Sequence, residues 1–197
     1  MGMMQSPVAV RARMSAGAAI AGTAVAGVVA SLLVAPDMRG AAGALLAMTM
    51  LAIAVMDARH FIIPDELNAA GFAFALLHAA IQNQDAVLQA VGAATLRGAV
   101  LALLFLGMRV GYRLLRGREG IGLGDVKLAC VAGAWLDWST VPLAIETAAL
   151  AALTTYLVRQ YVLGRSLCPA SRLPFGLFFA PAIWLGWLIE TTALAPL

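Results

Sequence analysis

The chain is a succession of apolar runs, each near the length of a membrane crossing and each broken by a proline, a glycine or a charge. An apolar run of about 20 residues spans a bilayer as a helix, because lipid offers no partner to unpaired backbone N–H and C=O groups. Residues 15–35, 40–56, 67–81, 86–108, 125–136, 141–162 and 173–188 are the candidate spans. Several fall short of a full crossing, the fifth most of all, and need flanking residues or shelter from neighbours. Only 12% of the residues are charged and 62% are apolar. That excludes a water-soluble domain, which carries about 25% charged residues. The expectation is an all-α, polytopic transmembrane bundle of about seven spans (six to seven). Residues 1–14 read as a cytoplasmic tail and 15–197 as a single domain, since no repeat or low-complexity linker divides them. The run at 15–35 is longer than the apolar segment of a signal peptide, so it reads as a retained span.

The arginines orient the bundle, because Lys and Arg are held on the cytoplasmic side. With the N-terminus inside, the inner segments carry Arg11, Arg13, Arg59, Arg109, Arg113, Arg116 and Arg118. They also carry Lys127, Arg159, Arg165 and Arg172. The outer segments carry Arg39 with Asp37, Asp85, Asp137 and Glu190. The net charge of +3 is then an orientation signal, and lipid rather than nucleic acid is the expected partner. Arg97 fits neither side, lying mid-span in the fourth run. Cys130 and Cys168 stand far apart with no C-x-x-C pair, so no metal, cofactor or disulfide framework is expected.

Two acids interrupt this pattern on one side. Asp57 ends the second span; Asp125 begins the fifth, after Gly120-Ile-Gly-Leu-Gly and before Val126-Lys127-Leu128. The chain between them crosses twice and returns to the face it left. Two carboxyls at one level can share a site and activate water, one taking a proton while the other polarises a carbonyl. Each could equally do no more than cap or fray its own helix end. Asp57 stands at a helix C-terminus and Asp125 at an N-terminus, so their own helix dipoles make Asp125 the expected base and Asp57 the protonated partner. The glycines before Asp125 are expected to let a substrate backbone approach.

The context of Asp57 adds specificity. It stands seven residues before Pro64, in Asp57-Ala-Arg-His-Phe-Ile-Ile-Pro-Asp65, and Gly122-Leu-Gly124-Asp125-Val-Lys127-Leu follows after a further span. Together these motifs resemble the type IV prepilin peptidases, membrane aspartic endopeptidases of the GxGD type. Gly133-Ala134-Trp135 and Leu173-Pro174-Phe175-Gly176 are similar to further family stretches, and the likeness runs over roughly residues 41–187. The resemblance implies that Asp57 and Asp125 are the catalytic pair, with Pro64, Asp65, Gly122, Gly124 and Lys127 as motif residues around them. It implies a prepilin or pseudopilin substrate, cut at the cytoplasmic face of the inner membrane to remove its leader.

The chain departs from the bifunctional members of that family, which carry paired C-x-x-C motifs in a cytoplasmic loop between their first two spans. Here the first loop is only residues 36–39. The resemblance is therefore to a short, peptidase-only form without the N-methyltransferase loop. Two other classes remain open. A presenilin or signal-peptide-peptidase-like protease shares Gly-x-Gly-Asp but pairs it with Tyr-Asp and Pro-Ala-Leu, whereas Met56 precedes Asp57 here. A non-enzymatic membrane protein or transporter would use the acids as proton relays. Lys127 reads equally as a dyad partner or as a side chain reaching for headgroups. His60 is read as solvated, His78 as packed or hydrated, and Gly107-x-x-x-Gly111 as a helix-packing pattern.

Overall fold

The computed structural model describes residues 7–118, 120–162 and 174–193, with side chains from Ser15 onward. Seven α-helices and no strand occur among them: α1 (Pro7–Val34), α2 (Met38–His60), α3 (Asp65–Gln82), α4 (Val87–Arg116), α5 (Leu123–Trp135), α6 (Thr140–Leu157) and α7 (Gly176–Ala193). A single 3-10 turn, Gln84–Ala86, joins α3 to α4, and a π turn, Val158–Val162, extends α6. Residues 7–14, expected as a tail, continue α1. Leu173, Arg165, Arg172 and Cys168 lie outside the described residues.

Local chemistry sets the helix ends. Asp37 caps α2, its carboxylate accepting the Arg39 N–H at 2.8 Å. At the other end Phe61 adopts the left-handed conformation, φ 55°, and donates its N–H to the Asp57 carbonyl. Pro64 (φ −61°, ψ 139°) then stands as the cap of α3, where a ring-fixed φ and a missing N–H are harmless. Gly117 closes α4 in the left-handed region.

Among the described residues, five helices are long and apolar enough to cross a membrane: Ser15–Val34, Met38–His60, Gln84–Arg116, Thr140–Tyr161 and Gly176–Ala193. The two others, α3 and α5, lie among them. At 13 residues, α5 is about 20 Å long, too short for a full crossing. It is nonetheless the most enclosed helix, with Val126, Leu128, Ala129 and Val131–Trp135 buried against α3, α4 and α7. Neighbouring helices surround its middle and its C-terminal half, while its first turn, with Leu123 54% exposed, opens to the surface. Large apolar side chains such as Leu33, Leu88, Leu114 and Leu115 point outward instead, as a bilayer solvent requires.

Small residues bring α4 and α5 into backbone contact. A Cβ added at Gly133 would stand 2.6 Å from the Arg97 carbonyl oxygen, and one at Gly98 would stand 2.7 Å from that of Cys130. Gly133→Ala therefore has to push two helix backbones apart. It is expected to cost about 1–3 kcal/mol by overpacking, read as a lowered thermal midpoint in detergent. By contrast, Gly107 and Gly111 meet nothing within 4 Å. Among the described residues, no neighbour packs against either position.

Helix directions create two distinct ends. At one, the start of α2 and the ends of α3, α5 and α7 surround a polar cavity of about 470 Å³ lined by Arg39, His78, Gln82, Arg97, Asp137 and Glu190. Arg97, the residue without a side in the sequence, reaches this end. Its Nε donates to the Gly133 carbonyl at 3.2 Å and its Nη1 lies 3.7 Å from Asp137 Oδ1. His78 is buried and stacks on Trp135 with centroids 4.8 Å apart. The opposite end holds both aspartates.

Candidate active site

At that second end, the last turn of α2, the loop into α3 and the start of α5 enclose a cavity of about 320 Å³. Asp57, Phe61, Ile62, Ile63, Asp65, Gly122, Leu123, Gly124, Asp125 and Lys127 line it. The residues singled out in the sequence thus meet, with Pro64 just behind as the cap of α3. The two acids, from separate helices, line this one cavity. Asp57 is buried, 6% exposed, while Asp125 is half-buried.

Each carboxyl is held by a backbone donor. Asp125 is the third residue of α5, and its Oδ2 accepts the Gly122 N–H at 3.2 Å, tying the acid to the cap of its own helix. Asp57 is held from farther away. Its Oδ2 accepts the Leu177 N–H at 2.9 Å, in the first turn of α7. Helix N-termini carry unpaired N–H groups and partial positive charge, and so attract a carboxylate. The end of a second helix therefore faces Asp57, and the own-helix dipoles no longer separate the roles of the two acids. That contact lies outside what local sequence shows.

Gly176 makes the contact sterically possible. A Cβ there would stand 2.8 Å from Asp57 Oδ2 and 2.7 Å from Ile63 Cδ1. Ile63, buried in the loop before Pro64, also fills the space at Gly124, where a Cβ would come within 3.0 Å of its Cβ. The glycine before Asp125 thus admits this loop rather than leaving open room for another chain. Ile63 wedges between the α5 glycine and the α7 glycine, packing the Asp57 loop against both helices.

Charged residues frame the cavity. Lys127 Nζ lies 2.6 Å from Asp65 Oδ1, which supplies the partner its sequence context left open. Both side chains are substantially exposed, 47% and 71%, so the pair adds at most about 1 kcal/mol to stability. Arg109 donates to the Ile121 carbonyl and anchors the loop ahead of α5. Arg59, Arg113 and Arg116 occupy the last turns of α2 and α4 at this same end. Among the described residues no cluster of His, Cys, Asp or Glu could hold a metal ion.

Sequence reasoning missed the role of Gly176 and Leu177. The signal was present in Pro174-Phe175-Gly176, but nothing in it names Asp57 as the group that the helix start receives.

Fold and site together define a multi-pass helical membrane protein with paired carboxyls at one end of the bundle. Residues 44–157 match the type IV leader peptidase family, and the chain belongs to that family; it is a peptidase. Leader peptidase HopD of Escherichia coli is 31% identical over 132 residues, covering 66% of this chain and 82% of that protein. Leader peptidase HopD of Salmonella typhimurium is 41% identical over 80 residues, 40% of this chain and 51% of that protein. A prepilin leader peptidase/N-methyltransferase of Burkholderia pseudomallei is 43% identical over 84 residues, 42% of this chain but only 26% of its own length. No solved structure matches the chain.

Proposed function

We propose that the chain removes the N-terminal leader from prepilins or pseudopilins at the cytoplasmic face of the inner membrane, with Asp57 and Asp125 activating the attacking water. One observation carries this reading: two acids from separate helices line one cavity, each with Oδ2 engaged by a backbone N–H. The Oδ1 atoms are then the ones assigned to water and substrate. One carboxylate takes a proton from water as its oxygen attacks the scissile carbonyl carbon. The other, protonated, hydrogen-bonds the carbonyl oxygen and afterwards passes its proton to the departing amine. Like charges in one site oppose double ionisation, which supports a one-proton pair, and the pair titrates jointly.

The names of the relatives support a leader-bearing substrate. The link from α1 to α2 is only 35–37, with no room for a methyltransferase loop, so peptidase activity alone is proposed. Arg59, Arg113 and Arg116, in the last turns of α2 and α4, support a cytoplasmic site.

Co-expression with an intact prepilin tests the activity: leader removal appears as a faster-migrating band, and cleavage that survives both Asp57→Ala and Asp125→Ala refutes the dyad. Orientation is tested with an impermeant maleimide on cells whose outer membrane is opened, in a background lacking Cys130 and Cys168. Asn83→Cys is expected to label and Phe61→Cys to stay unlabelled until the inner membrane is breached. The reverse pattern places the site outside.

A further inference from the structure

Asp65 and Lys127 are charged residues of the cavity to which the proposed chemistry gives no step. They contact each other at 2.6 Å, and the segments that carry them give the contact meaning. Asp65 opens α3, separated from the helix of Asp57 only by loop 61–64. Lys127 follows Asp125 by two residues on α5. The ion pair therefore joins the segment after one acid to the helix bearing the other. It does so on the exposed side, while Ile63 fills the buried side between Gly124 and Gly176. The loop between them begins with Phe61 at φ 55°, a conformation that residues with a Cβ seldom adopt without being held.

We infer that Asp65 and Lys127 are positioning residues whose ion pair sets the relative placement of Asp57 and Asp125. This rests on the reading of those two aspartates as the catalytic dyad. An exposed pair contributes little to folding. Reaction geometry is far less forgiving, since a displacement of about 1 Å can cost about 100-fold in rate. A contact that barely changes the stability of the bundle can still select the loop arrangement in which both carboxyls face one water.

The test is a double-variant cycle in detergent, on a prepilin that the unaltered chain cleaves. It compares Asp65→Asn, Lys127→Met and the double variant with the conservative Asp65→Glu and Lys127→Arg. Each neutral variant is expected to lower kcat about 10-fold or more, with KM within about threefold and a thermal midpoint within about 3 °C. The double variant should be no slower than the worse single, because the two residues act through one contact, and the conservative variants should recover much of the rate. Unchanged kcat in both neutral variants overturns the inference. Losses that multiply in the double variant, or a change in KM alone, overturn it too, since they indicate independent roles or substrate recognition. Asp57→Asn and Asp125→Asn run alongside: if these still cleave, the dyad reading has failed instead.

Discussion

Asp57→Asn and Asp125→Asn each abolish leader removal, with an expected loss of about 10³-fold or more in kcat. Positioned acid–base groups contribute about 10² to 10⁴-fold each, and either substitution deprives the pair of the proton that it shares. The substitution is well chosen because it leaves the scaffold alone. An amide at position 57 still offers an oxygen to the Leu177 N–H, and one at position 125 still offers an oxygen to the Gly122 N–H. Groups that work as one unit are strongly non-additive. The variant carrying both substitutions should therefore be no slower than either single one. Turnover is measured as leader release from a purified prepilin in detergent. A single variant that keeps a tenth of the activity would show that its acid takes no part in proton transfer.

Gly176→Ala is expected to lower kcat about 100-fold while the fold persists. The new Cβ would meet the Asp57 carboxylate oxygen at 2.8 Å and its carbon at 3.1 Å, so the carboxyl has to leave the Leu177 N–H. Ile63 Cδ1, at 2.7 Å, is the flexible end of a side chain and yields more easily. A displacement of about 1 Å at a reacting group is enough for a loss of this size. Alanine is also the better helix former by about 1 kcal/mol, so the thermal midpoint should change little. Gly107→Ala, whose Cβ meets nothing within 4 Å, is the matched control and should cleave normally. A Gly176→Ala variant within threefold of the unaltered rate would mean that Asp57 needs no support from α7.

The helices were legible because lipid solvation writes itself locally, although only five of the seven described ones are long and apolar enough to cross a membrane. Runs of apolar residues located all seven helices, and the parity of crossings put Asp57 and Asp125 on one side. Helix boundaries were read less well. The fourth run was expected to end at 108 but α4 continues to Arg116. Hydropathy stops where the bilayer stops, whereas helical hydrogen bonding continues into water. The third run gained Asp65 and Glu66 in its first turn, where carboxylates suit a helix N-terminus even though they lower the hydropathy.

What the sequence determined by itself was the class of fold and the family, since both depend on residue type and spacing, and it singled out the two acids as candidates. The tertiary structure alone decided how those acids are held. It gave Asp57 the N-terminus of α7, Lys127 the carboxylate of Asp65, and Arg97 the carbonyl of Gly133. It also turned Gly124 from open space into the seat of Ile63. These partners are distant in the chain and belong to no shared periodicity. Only helix packing brings them within the few ångströms over which a hydrogen bond or a steric contact acts.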